Sequence, residues 1–202
     1  MMRMNHRFQC WCGNLQGQVL HPQRGVRAVC YCGDCQAYAH VLGQAERVLD
    51  PLGGTDVVAT QSSCVEFTSG TQALACLSLS PKGLLRWYAR CCSTPIANTP
   101  RNWKIPYVGL VHTCLSQPEP LEGSFPKVQM RAFTSKAKGR PPRADLLSGA
   151  GGFAGLLLRL TAARLGGGYK ATPFFHSGGR PAAEVVVAER AAVEEARRAT
   201  RL

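Results

Sequence analysis

Three cysteines in the string VCYCGDCQAY are spaced Cys30-x-Cys32-x-x-Cys35. Three thiols so close in sequence can converge on one point if the backbone turns tightly, and Gly33 and Asp34 are turn-forming residues. Clustered thiolates suit a zinc ion, which prefers tetrahedral sulfur and nitrogen ligands. A structural zinc normally takes four protein ligands, whereas a zinc with three keeps a position for water or substrate. A second doublet, Cys10-x-Cys12 in FQCWCGNLQG, lies upstream. A third, Cys91-Cys92 in RWYARCCSTPIANTP, lies downstream. The clustered sulfur is sufficient for two zinc ions.

The rest of the composition bounds what this sulfur can be for. The chain has 202 residues, enough for one sizeable domain or a domain with an appendage, and its 45% apolar content is that of a globular protein. Ten cysteines could form a disulfide framework. However, MMRMNHRFQCWCG lacks the apolar stretch of a signal peptide, and adjacent or once-spaced cysteines rarely reach the separation needed to pair. Reduced, metal-bound thiols in a cytoplasmic protein are the expectation. The longest apolar stretch, Leu146 to Leu165, is interrupted by Arg159, Arg164 and glycines, so it reads as a packed helix and not a membrane span. The formal charge is +12. Residues 1–120 hold ten Lys/Arg and six Asp/Glu; residues 121–202 hold fourteen and six. The excess centres on Lys136, Lys138, Arg140 and Arg143 in SKAKGRPPR. Such a patch can bind anions, nucleic acid included, but no aromatic residues are interleaved as stacking platforms, so a solvated loop without a partner is favoured.

The elements that must position these thiols are mostly short strands. Strands are expected at Leu15–Leu20, Ala28–Cys30, Val57–Thr60, Val65–Thr68, Leu74–Leu79, Leu84–Tyr88 and Ile96–Thr99, with turns at Ser69-Gly70 and Pro81-Lys82-Gly83. A helical turn or two is expected over Gln36–Ala45. Proline and glycine between Gln117 and Pro126 mark the edge of the cysteine-bearing module, giving a zinc-binding β domain over residues 8–120 and a basic extension over 121–202. The extension reads as one more strand over Gln129–Phe133, a helix from about Ser148 to Leu165 and a terminal helix from about Ala188 to Arg201.

The order Cys-x-Cys-Gly, Cys-x-Cys-x-x-Cys, EFTSG and CCSTPIANT resembles the family of glutathione-dependent formaldehyde-activating enzymes and centromere protein V. The resemblance covers roughly residues 8–115. It implies a mainly β, largely antiparallel β-tent (Mss4-like) fold with two zinc sites, and carbon–sulfur lyase chemistry on a glutathione–aldehyde adduct. Cys30, Cys32 and Cys35 then match the catalytic zinc site. Cys10 and Cys12 match one half of a structural zinc site completed by a Cys-x-x-Cys-Gly-Thr-Pro knuckle. Aligning that knuckle on Thr94-Pro95 puts Cys92 on its second cysteine and Ala89, which cannot bind metal, on its first. Cys91 is expected to fill the vacancy beside Cys92, which requires irregular backbone because adjacent strand residues face opposite ways.

Other candidates have plainer readings. Cys64, Cys76 and Cys114 sit in apolar runs as inert core thiols, though any of them, or a histidine, could close the triplet site. Asp34 could receive a proton but is expected to bond its own turn. His40 and His112 are possible acid–base groups, Trp87 and Tyr88 core residues, and Arg101 and Lys104 exposed loop charges. Two functions compete. One is a carbon–sulfur lyase acting on a thiol–aldehyde adduct at the three-cysteine zinc. The other is a non-catalytic, zinc-stabilised interaction protein whose basic C-terminal part contacts nucleic acid or protein.

Overall fold

A computed structural model of the protein describes residues 5–117, 119–144 and 146–200. In chain order the elements are β1 (His6–Gln9), β2 (Gln16–Val19), β3 (Val26–Cys30), α1 (Gly33–Val41), α2 (Ala45–Val48), β4 (Thr55–Gln61), β5 (Val65–Ser69) and β6 (Leu74–Ser78). They continue with β7 (Leu85–Ala89), β8 (Thr94–Thr99), β9 (Tyr107–Val111), α3 (His112–Leu115), β10 (Met130–Ala132), α4 (Leu146–Leu165), β11 (Val185–Val187) and α5 (Arg190–Ala199). The protein is mainly β. A three-stranded sheet has the order β1-β2-β5, and an eight-stranded sheet the order β10-β3-β4-β9-β8-β7-β6-β11.

Alternation along the strands explains how the large sheet is covered. Leu74 and Cys76 of β6, Leu85, Trp87 and Ala89 of β7, and Val108 and Leu110 of β9 belong to the principal core, which also takes in Phe8, Leu15 and Val19 beside the small sheet. Leu77 of β6 and Leu79 just beyond it instead join Ala37 and Tyr38 of α1 and Val193 and Ala196 of α5 in a second cluster. Val26, Ala59 and Leu156 of α4 make a third. At the turn before β6, Gly70 has φ +72° and lies against the Asn14 carbonyl, where no side chain fits.

Inside the large sheet the pairings are antiparallel, in keeping with the alternating sequence. The two edge strands depart from this: β10 pairs β3 and β11 pairs β6 in parallel. Both edges come from the part of the chain read as an extension. Phe174, also from that part, is fully buried and packs against Phe67 and Trp87, with ring centroids 5.6 and 5.3 Å away. The strand β1, with a basic residue at its centre, β9, which follows Pro106, and the three-residue β11 carry no period long enough to be read locally. Helix α4 runs 20 residues despite its glycines, with Leu156 buried and Leu158 exposed. Among the described residues no helix is long and apolar enough to cross a membrane.

Because Phe174 fills space beneath Trp87, Phe174→Ala is expected to destabilise the whole fold by about 3–5 kcal/mol, the range for deleting a buried aromatic side chain. Thermal or urea unfolding followed by tryptophan fluorescence checks this. An unchanged transition would mean that residues 121–202 fold independently of the cysteine-bearing sheet.

Candidate metal centres

The first cluster is assembled from two turns. After β1, the Cys10 amide donates to the Leu15 carbonyl at 2.9 Å, and the Leu15 amide donates back to Cys10 Sγ at 3.3 Å. Gly13, at φ +75°, closes the loop with its amide on the Cys10 carbonyl. The second turn follows β7. The strand stops at Ala89, the Arg90 amide bonds the Ala73 carbonyl, and Ser93 takes a left-handed φ of 56°. This irregular backbone lets the neighbouring Cys91 and Cys92 side chains face one point. Thr94 joins the turns: its Oγ1 accepts the Trp11 amide at 2.9 Å and lies 3.0 Å from Cys92 Sγ.

All four sulfurs of Cys10, Cys12, Cys91 and Cys92 lie within 4.8 Å of one another. Four of the separations are 3.5 Å for Cys10–Cys12, 3.8 Å for Cys10–Cys91, 3.2 Å for Cys12–Cys91 and 3.8 Å for Cys91–Cys92. Sulfurs on a tetrahedron of ~2.3 Å bonds stand about 3.8 Å apart, so the group has nearly the dimensions of a four-thiolate zinc site. Although the residue is exposed overall, desolvation of its sulfur among the neighbouring thiols, with hydrogen bonding to Cys12, Cys10 and Cys92, pushes the Cys91 thiol up to about 12. Burial also works against ionisation of Cys92, but hydrogen bonds from Thr94 and Cys12 hold it down at about 6. Ala89 is fully buried core.

The second cluster forms where β3 runs into α1. Cys30 ends the strand. Cys32 is the helix N-cap, with extended backbone and a sulfur that accepts the Cys35 amide at 3.4 Å. Cys35 sits in the first helical turn. The sulfurs of Cys30, Cys32 and Cys35 lie within 4.8 Å of one another, and among the described residues no fourth Cys, His, Asp or Glu joins them. The helix start orients amide dipoles favourably for a thiolate. The three thiols divide their protons unequally. Hydrogen bonds from Cys30 and Cys35 draw Cys32 strongly down, while hydrogen bonds to Cys32 and Cys35 drive Cys30 up. Each cluster therefore presents soft, ionisable donors in the number and spacing that zinc takes.

The surroundings of the triplet hold residues that the local sequence pattern did not single out. Arg86 of β7 is buried, with Nη1 4.0 Å from Cys35 Sγ and 3.2 Å from Asn98 Oδ1. Tyr38 of α1 lies beneath its guanidinium. Tyr107 is pushed up to about 12 by burial and by the thiols of Cys35 and Cys30. A charged residue within the apolar strand LLRWYA was the one available sequence signal. Cys32 and Asp34 also open on a cleft of about 690 Å³ shared with Phe133, Lys136, Lys138 and Arg197.

The structure revises several readings of single residues. Asp34 pairs with Arg197 of α5 at 2.8 Å and does not simply close its own turn; both side chains are about half exposed, so the pair contributes about 0–1 kcal/mol. The basic loop is held in place: the Lys136 carbonyl accepts from Gln36 at 3.1 Å, and the Lys138 amide donates to the Leu52 carbonyl at 3.0 Å. Cys64 is half-buried in a helical turn, whereas Cys76 and Cys114 are buried. None of these three is in either cluster. His112 Nδ1 lies 3.1 Å from the Asp56 carbonyl, and the Arg101 side chain donates to the Gly83 carbonyl. Trp87 is core, Tyr88 half-buried, Lys104 exposed and His40 half-buried, with its pKa lowered by burial and by Lys138.

The chain matches a family of unknown function, DUF6151, over residues 2–186, and it belongs to that family. Comparison with curated proteins finds no match. Among solved structures, a Rhodobacter sphaeroides protein whose crystal structure was determined as a structural-genomics target superposes with a TM-score of 0.41 at 15% identity, over 62% of this chain and 99% of that one.

The full chain, expressed in zinc-replete medium, is expected to carry two zinc ions by elemental analysis; one or fewer would contradict two centres. Because metal binding energy is also folding energy, Cys12→Ser should lower the thermal midpoint more than Cys35→Ser, since it opens a link between the turns at residues 10 and 91. Equal losses would make both clusters structural. Metal affinity should fall as pH is lowered, because Cys91, protonated when free, must lose its proton to bind.

Proposed function

We propose that this member of the DUF6151 family is a two-zinc protein of β-tent architecture that makes or breaks the carbon–sulfur bond of a thiol–aldehyde adduct at Cys30, Cys32 and Cys35. The observation that carries the reading is the inequality of the two clusters. Four thiols meet where the turns after β1 and β7 come together, a complete set for a structural ion. Three meet at the start of α1, beside a cleft large enough for a small substrate. The resemblance in the order of the cysteine motifs supports the choice of a glutathione-type adduct.

A zinc ion held by the three thiolates would supply a Lewis-acid position that stabilises a substrate sulfur as thiolate. The protein residues bind and orient. Lys136 and Lys138 line the cleft and offer cations to substrate carboxylates, Arg197 lines it already paired with Asp34, and Phe133 offers an exposed apolar surface. Tyr107 keeps its phenolic proton at neutral pH, so it stands near the thiols as a neutral group that adds no further negative charge. The reaction balances without oxidant or reductant. A thiol and an aldehyde combine, sulfur bonds to the carbonyl carbon, and the thiol proton ends on the new hydroxyl; the lyase direction is the reverse.

The test follows glutathione and formaldehyde exchange by NMR with the full zinc-loaded chain. Acceleration is expected, with loss of activity in Cys35→Ser. The double variant Lys136→Glu/Lys138→Glu is expected to raise KM by about tenfold, the effect of about 1.4 kcal/mol of lost binding. Absence of acceleration, together with a cobalt-substituted spectrum that glutathione leaves unchanged, would overturn the lyase reading. It would favour a non-catalytic, zinc-stabilised interaction protein.

A further inference from the structure

Among the described residues, Arg86 is the only arginine, lysine or carboxylate that is buried, at 3% exposure. It occupies β7 with Leu85 and Trp87 on either side in sequence, both buried. A guanidinium withdrawn from water is costly unless an anion compensates it. No carboxylate lies within 4.0 Å of it among the described residues. Its neighbours are a neutral amide, Asn98 Oδ1 at 3.2 Å, and a neutral ring, Tyr38, whose centroid is 5.0 Å from Cζ. These fix the position of the guanidinium without neutralising it. Its Nη1 also lies 4.0 Å from Cys35 Sγ.

The two clusters differ in their exposure to solvent. Cys12 and Cys91 of the four-cysteine group are exposed, so water can screen the charge of the thiolates. Cys30, Cys32 and Cys35 are each partly buried. Three thiolates around a divalent ion leave one net negative charge, and there is less solvent here to screen it.

We infer that Arg86 is the built-in counter-charge of the triplet centre: its guanidinium, held against Cys35 by Asn98 and Tyr38, offsets the excess negative charge of three thiolates around a divalent cation and sets the metal affinity of that centre alone. The inference rests on the reading that the triplet binds metal. Arg86 is thus a positioning residue, acting on the ion through the charge of its ligands.

The experiment titrates the reduced, metal-free full chain with Zn²⁺ against a chromophoric chelator, and with Co²⁺ to follow thiolate-to-metal absorption. Cys35→Ser identifies the triplet step. Arg86→Met is expected to weaken that step about 10- to 100-fold, the usual cost of losing a partner behind a metal ligand, with the four-cysteine step within about twofold of the original. Arg86→Lys should restore most of the affinity, since it returns the charge. Asn98→Asp should weaken the triplet step in the same direction, because a carboxylate beside Arg86 neutralises it without removing its bulk. If Arg86→Met loses both steps, the Asn98→Asp result decides. A triplet affinity unmoved in Asn98→Asp and in a folded Arg86→Met would overturn the inference, as would failure of Arg86→Lys to restore a lost step. An original chain that binds metal at the four-cysteine group alone would instead overturn the metal reading of the triplet.

Discussion

Thiols gathered at one point repel one another once they ionise, and the arrangement of the sheet, turns and first helix answers that constraint. Seven cysteine sulfurs are held in two groups whose members lie within 4.8 Å of one another. Without a cation, such a group ionises only in part, as the opposite displacements of Cys30 and Cys32 illustrate. The folded chain therefore has two places where a soft divalent cation would relieve repulsion, and the relief would be gained only in the folded state.

The groups meet the constraint differently because they occupy different positions. The four-cysteine group joins the loop after β1 to the turn after β7, segments remote in sequence. A link there restrains the small sheet against the large one, and solvent reaches two of its thiols. The triplet grows from one continuous segment, the end of β3 and the first turn of α1, and needs no long-range link to form. Its surroundings are long-range: Arg86 from β7, Tyr107 from β9, Lys136 and Lys138 from the loop after β10, and Arg197 from α5. One group thus links distant segments of the chain, and the other is local but surrounded by side chains from distant segments.

The C-terminal residues tie these arrangements together. β10 and β11 protect the two edges of the large sheet, whose unpaired backbone groups would otherwise invite other strands. Phe174 completes the core beneath Trp87, and α5 packs Val193 and Ala196 against α1 and β6. The face of α1 that carries Tyr38 is therefore covered by α5, while the triplet end remains open to the cleft.

The sequence by itself determined the thiol triplet and the two separate cysteine pairs, most of the interior strands and the approximate spans of α4 and α5. These depend on short spacings, alternation and helical periodicity, which operate within a few residues. It also implied that Cys91 and Cys92 could share a site only through irregular backbone, and the turn at Ser93 has that character. It did not reveal β1, β9 or β11, which are short or lack a local period, nor that residues beyond 120 close the same sheet as the cysteines. The environment of the triplet was equally hidden. Arg86 next to Cys35, the Asp34–Arg197 pair and the anchoring of Lys136 join residues 51, 163 and 100 positions apart. Only the tertiary structure decided these, because burial, charge compensation and cleft formation depend on which distant segments meet, and no local spacing encodes that choice.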